Sequence, residues 1–212
     1  YGCTSRGASA WLGAFCYLLG EENRPNNMKS VQPDQAGNLG FLQPYKVDGE
    51  LFSLSSGASV LIQKYCLTFI PWKGAPIPNT YNGKAVIDWN GESLFAELAV
   101  LRLFQSHGWE GVWVDSYRRK YRIGLPDVAG PVELPEKQKQ LIESIRAKAG
   151  RSGGCWDVFV WKGEEVMFIE LKRQKKDVIQ ESQKVWLEKS IDFKLVAENF
   201  VFIEWALPNY HV

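Results

Sequence analysis

Apolar and polar positions are organised most tightly between residues 153 and 187. Two short apolar runs there, Trp156–Trp161 and Val166–Leu171, flank Lys162-Gly163-Glu164, and a polar stretch then leads to Gln183-Lys184-Val185-Trp186-Leu187. Apolar runs this short, bounded by turn residues, predict a hairpin of buried strands. Upstream, Asn90 or Ser93 can cap a helix that runs to about Ser106 and stops at His107-Gly108. Val112–Tyr117 reads as a strand. Pro135 stands at a natural first helical position before Glu136–Ala149, whose stripe of Leu141, Ile142 and Ile145 is ended by Gly150. Asp177, with Gln180 three residues on, predicts a capped helix over Val178–Ser190, and Phe200–Ala206 closes the series as a strand. The succession of helix, strand, inserted helix, strand, strand, helix and strand predicts an α/β fold, a mixed central β-sheet flanked by helices.

The chain before residue 90 is less regular. Residues 23–45 are rich in Asn, Pro, Gln and Gly and read as a loose connection, and Pro71–Asn82 reads as a loop. Ser59–Gln63 and Tyr65–Ile70 suit strands or a buried helix. The apolar run at residues 7–19 is too short to span a bilayer. Residues 1–27 suit a core helix, a fragment boundary or sequence upstream of the true start. The pattern therefore divides the chain into an N-terminal extension, residues 1–89, and a second domain, residues 90–212.

Composition is that of an ordinary globular protein, and 212 residues suffice to bury a sizeable core. The net charge of +1 argues against a wholesale polyanion binder, but the charge is uneven. Residues 118–190 hold 16 Lys and Arg against 11 Asp and Glu, so basicity collects around the apolar hairpin. Solvated helix faces account for Lys137, Lys139, Arg146 and Lys148; the denser runs suit phosphate contacts. The four cysteines, Cys3, Cys16, Cys66 and Cys155, form no paired motif and read as reduced, cytosolic thiols. Two histidines are too few for a zinc cluster, and His107 suits a helix C-terminus.

The hairpin carries charge where a core strand would carry apolar residues. Asp157 opens its first strand; Glu170 and Lys172 close the second and, two residues apart, share a face. A carboxylate and an ammonium at a buried strand end are costly unless something uses them. Two further polar residues stand on apolar faces: Glu97 in the nearly continuous apolar helix around Leu94–Phe104, and Gln183 on one face with Ile179, Trp186 and Leu187. Asp157 and Glu170 offer oxygens to a Mg²⁺ ion that keeps several waters, with Lys172 as a cation beside it.

Asp157…Glu170-Leu171-Lys172 resembles the signature of the PD-(D/E)XK nuclease superfamily. With Asp177…Gln183…Trp186-Leu187, the chain is similar to the VRR-NUC branch, the virus-type replication-repair nucleases, over roughly residues 92–206. The resemblance implies a restriction-endonuclease-like core of order α-β-β-β-α-β, and a Mg²⁺- or Mn²⁺-dependent hydrolysis of DNA by a metal-activated water. It implies Asp157 and Glu170 as metal ligands, Glu97 as a supporting acid and ligand, Lys172 as the catalytic lysine and Gln183 as a contact to that lysine or to the attacking water. Two departures stand out: Trp156 occupies the place of the family's Pro, and Arg173-Gln174-Lys175-Lys176 replaces a Gly-Pro-rich turn. A literal Pro126-Asp127 lies a whole predicted helix away from Glu170 and is assigned to a loop.

Arg118, Arg119, Lys120 and Arg122 on one side, and Arg173, Lys175 and Lys176 on the other, bracket the acids and suit DNA phosphates. The expected partner is therefore DNA, in repair or replication, with no membrane and with self-association as a homo-oligomer left open. The expected location is cytoplasmic and nucleoid-associated, or nuclear in a eukaryote. The rival reading is a non-catalytic nucleic-acid-binding module that retains the nuclease fold.

Overall fold

The protein is described by a computed structural model over residues 39–81, 83–150 and 153–208. The apolar run at 7–19, the two N-terminal cysteines and His211 lie outside the described residues. A 3₁₀ helix at Gly40–Tyr45 leads into strands β1 (Lys46–Ser53) and β2 (Ser59–Thr68). Three short strands follow, β3 (Ile70–Pro71), β4 (Ile87–Trp89) and β5 (Glu92–Leu94), and then helix α1 (Ala96–Ser106). After β6 (Glu110–Asp115) and β7 (Lys120–Arg122) come helix α2 (Glu136–Ala149), the hairpin β8 (Val158–Lys162) and β9 (Glu165–Arg173), helix α3 (Glu181–Ile191) and strand β10 (Phe200–Ala206).

Seven strands form one mixed sheet in the order β1-β2-β10-β9-β8-β6-β7. β10 runs parallel to both β2 and β9, and the remaining neighbours are antiparallel. The two sides of the sheet carry separate cores. Leu98, Leu101 and Phe104 of α1 cover Val158, Val160, Ile169, Val201 and Ile203. Ile142 and Ile145 of α2, with Trp186 and Leu187 of α3, share the other core with Phe159, Phe168, Phe200 and Phe202. Alternate residues thus point to opposite cores, with Phe159, Phe168, Phe200 and Phe202 all on the side of α2 and α3. Burial on both faces is why β8, β9 and β10 read as unbroken apolar runs rather than as alternating ones.

The mixed sheet flanked by helices is as the sequence pattern predicts, but two helix starts move. Asn90 does not cap α1. Asn90 (φ 52°) and Gly91 (φ 86°) are both left-handed and turn β4 into β5, with Asp88 Oδ1 accepting the Gly91 amide at 2.7 Å. Asn-Gly is the dipeptide that such a two-residue hairpin turn demands, so Glu92–Leu94 is strand and α1 starts at Ala96. Glu92 accordingly sits on a strand, where it pairs with Arg102. At the other end, α3 begins at Glu181 rather than Val178, behind Gln180. Asp177 closes the preceding turn instead, accepting the Arg173 amide at 2.9 Å.

The sheet also runs across residue 90, where the sequence pattern divides the chain. β2 lies alongside β10 from Gln63 to Thr68, and its Ile62, Tyr65 and Leu67 are buried in the two cores. Parallel strands separated by some 130 residues leave no local signature, so this pairing is invisible to periodicity.

Two measurements test this architecture. Phe168, stacked between Phe159 (4.6 Å between centroids) and Phe200 (5.6 Å), is fully buried. Phe168→Ala is expected to cost about 3–5 kcal/mol in urea unfolding. A fragment of residues 90–212 leaves β10 as an open edge and is expected to show no cooperative transition; native-like near-UV dichroism from it would contradict the shared sheet.

Candidate active site at the ends of β8 and β9

The site grows out of the hairpin and the first turn of α3. Glu170 lies in β9 between Ile169 and Leu171, 1 % exposed, and faces the aromatic core with Phe168. Lys172, two residues on, places Nζ 2.7 Å from Glu170 Oε1. Gln183 closes the triangle from α3: its Nε2 donates to Glu170 Oε1 at 2.6 Å, and its Oε1 accepts from Lys172 Nζ at 3.1 Å. The same Oε1 accepts the Gln180 backbone amide at 2.9 Å, so the side chain that caps α3 also clamps the strand pair. A Gln on an apolar helix face is thereby accounted for.

Asp157 stands just before β8, half-buried, and Oδ2 accepts the Leu171 amide at 3.0 Å. Two neighbours hold it there. Gly154 is left-handed (φ 97°), and a Cβ at this position would overlap the Ser182 carbonyl of α3, so only glycine allows the close approach. Trp156 is fully buried against Phe200 and Phe202, and its indole N–H donates to the Gln183 carbonyl at 3.3 Å. The bulky Trp156 thus ties the start of β8 to α3.

The electrostatics are those of crowded carboxylates. Burial and then the neighbouring Glu97 charge push Asp157 up to about 6, against the pull of the Leu171 amide, Lys84 and Lys172. Glu170 is raised well above the ordinary carboxylate range by burial and by Asp157, although Lys172 opposes the shift. Glu170 Oε2 is buried and accepts no hydrogen bond from the described residues. An oxygen in that position calls for a proton or a cation.

Glu97 comes from α1 but is not free. Its carboxylate is ion-paired with Lys84, whose ammonium also lies over Phe95 and Trp113 and feels the charges of Asp157 and Asp115. Lys84 arrives on a segment anchored by Tyr81. The Tyr81 hydroxyl donates to Asp115 Oδ2 at 2.6 Å, and Asp115 also accepts from Arg122 Nε at 2.8 Å and from the Arg118 amide. Burial and Asp115 push the Tyr81 hydroxyl up to about 12. Lys84, Tyr81 and Asp115 gave no sequence signal. An isolated lysine in a Pro- and Gly-rich segment looks like any solvated loop residue.

The basic residues separate into three environments. Arg122 is buried in its ion pair with Asp115, so it is not offered to a ligand. Arg118 and Arg173 lie against aromatic rings, Tyr81 at 4.2 Å and Trp205 at 5.3 Å. Arg119, Lys120, Lys175 and Lys176 are exposed. The 173–177 turn is built without Gly or Pro: Lys175 takes a left-handed conformation (φ 61°), and the Lys176 and Asp177 amides both donate to the Arg173 carbonyl. Pro126-Asp127 falls in a turn with Asp127 exposed, as its assignment to a loop anticipates.

Asp157 and Glu170 could hold a hard cation with their oxygens; Glu97, whose charge acts on Asp157, is ion-paired with Lys84. No family model, curated protein or solved structure matches the chain. The fold and site together define an α/β protein with a buried carboxylate–lysine–amide triangle beside a second carboxylate.

Raised carboxyl groups make stability depend on pH in a definite direction. Asp157 titrates near 3.8 when unfolded and near 6 when folded, so its protonated form favours the native state and that advantage is lost as pH rises from about 4 through about 6. Asp157→Asn keeps an acceptor for the Leu171 amide and removes the charge. It is expected to stabilise the protein by roughly 2–3 kcal/mol at pH 7.5 and to make little difference at pH 4, read from urea unfolding at both values.

Proposed function

We propose that the protein is a Mg²⁺- or Mn²⁺-dependent DNA nuclease of the PD-(D/E)XK kind, similar to the VRR-NUC branch. The observation that carries this reading is the juxtaposition of Asp157, Glu170, Lys172 and Gln183, with one buried Glu170 oxygen that has no hydrogen-bond partner among the described residues. Three charged groups and an amide within hydrogen-bonding reach in a largely apolar interior are expensive to maintain for stability alone. The succession α1, β6, β8, β9, α3, β10, with β7 and α2 inserted, supports the restriction-endonuclease-like order α-β-β-β-α-β.

The donor set fits a hard divalent ion: oxygens of Asp157 and Glu170, both favouring a compensating positive charge. Such an ion would supply Lewis acidity toward a phosphate oxygen and an attacking water. Asp157 would hold it with the oxygen that the Leu171 amide leaves free, and Glu170 with Oε2. Lys172 is positioned by Glu170 Oε1 and Gln183 Oε1 and offsets the negative charge that grows on the phosphate during displacement. Gln183 holds both partners of this ion pair, so the ammonium keeps its place without a conformational search. Exposed Lys175 and Lys176 extend the positive field along the approach.

The test is nicking of supercoiled plasmid in Mg²⁺ and in Mn²⁺, with EDTA as control. Lys172→Ala is expected to lower the rate by about 10²-fold or more while DNA binding persists. Undiminished cleavage by that variant would sink the mechanism, and binding by the wild type with no cleavage in either metal would leave a non-catalytic binding module. Independently of activity, Mn²⁺ is expected to raise the melting temperature of the wild type at pH 7.5 and not that of Asp157→Ala.

A further inference from the structure

Arg146 reads in the sequence as part of the solvated face of α2. The structure puts it elsewhere. It follows Ile145 of the buried stripe, is half-buried, and its Nε lies out of solvent with no acceptor among the described residues. Among the described residues the guanidinium makes one hydrogen bond, a long one of 3.4 Å from a terminal nitrogen to the Tyr121 hydroxyl. A guanidinium carries five N–H donors in a planar fork, and a buried donor left unmet costs free energy that an arriving acceptor would recover.

Arg146 opens into a cleft of about 330 Å³ between α2 and the ends of β6 and β7. Arg119, Lys120 and Lys139 line it as well, with Tyr121 on one wall and Cys155 on another. Of its acidic lining residues, Asp115 is neutralised by Arg122, so Glu133 and Glu143, both exposed, face four cations. Cys155 connects the cleft to the carboxylate site: it lines the cleft, stands two residues from Asp157, and its thiol, pushed up by burial, feels the charges of Arg146, Glu170 and Asp157.

We propose that this cleft is a second phosphate site, which takes one phosphodiester of a nucleic-acid strand on Arg146 beside the Asp157–Glu170 pair. The inference rests on the nuclease reading for its ligand class. A planar fork with one buried, unmet N–H matches two oxygens of a phosphate, which a lysine in the same place would not. Tyr121 holds the guanidinium from behind, and Arg119, Lys120 and Lys139 supply the field that draws a polyanion into the cleft. The strand would thus be gripped on the α2 side of the carboxylates, with Lys172 on the other.

The experiment measures binding of a fluorescein-labelled single-stranded oligodeoxynucleotide by anisotropy, in EDTA and over a salt series. Arg146→Ala is expected to weaken binding about tenfold or more and to reduce the salt slope by about 0.7, the value for one phosphate contact on a single strand. Lys148→Ala is the control: it removes the same charge from an exposed position on α2 that pairs with Asp192, and affinity should stay within about twofold. Arg146→Lys retains the charge and an aliphatic stem and should fall between, which guards against loss of folding in the alanine variant. Equal affinities for Arg146→Ala and Lys148→Ala, or no binding by the wild type, would overturn the site. Because binding is read without metal, the two readings fail separately. Arg146-dependent binding without cleavage removes the nuclease and leaves the site; cleavage with Arg146-independent binding does the reverse.

Discussion

Everything about the site depends on one constraint, a carboxylate at Glu170 buried to 1 % exposure inside a strand. Removing such a charge from water is costly, and the protein compensates with an ammonium from the same strand and an amide from α3. The compensation is partial by construction. One oxygen is served twice, by Lys172 and Gln183, and the other accepts no hydrogen bond from the described residues. Burial and the crowding of carboxylates hold both Glu170 and Asp157 above the ordinary carboxylate range, which amounts to a preference for positive charge at one point.

That preference can be maintained because the scaffold is stiff. Strands β8, β9 and β10 are covered on both faces, and Trp156, Phe168, Phe200 and Phe202 form a continuous aromatic layer beneath the site. Trp156 and Gly154 couple the start of β8 to α3 directly, one by an indole hydrogen bond and the other by the absence of a side chain. The amide of Gln183 therefore reaches Glu170 from a helix whose own start it caps. Local helix capping and the geometry of the site are one set of contacts.

Legibility divides along the range of the interactions involved. The hairpin, the E-x-K spacing and the Gln-x-x-Trp-Leu face are local patterns, and strand and helix periodicity suffice to bring Glu170, Lys172 and Gln183 to a common place. Asn90-Gly91 was equally local, and reading it as a helix cap rather than as a hairpin turn displaced the start of α1. By contrast, the pairing of Lys84 with Glu97, of Tyr81 with Asp115, and of β2 with β10 joins distant segments that carry no complementary signature. Arg146 was misjudged for a related reason. It borders the apolar stripe of α2, and only the position of β7 and Tyr121 decides that its guanidinium turns inward.

The sequence by itself determined the α/β class, most of the elements after residue 90 and the four residues around which the chemistry is proposed. It could do so because burial on two faces, helix periodicity and misplaced charge are written in neighbouring residues. The tertiary structure decided which carboxylate is left unsatisfied, which cation holds Glu97 and which basic residues remain available. Desolvation and ion pairing depend on what lies across space, and a residue's neighbours in the chain do not specify that.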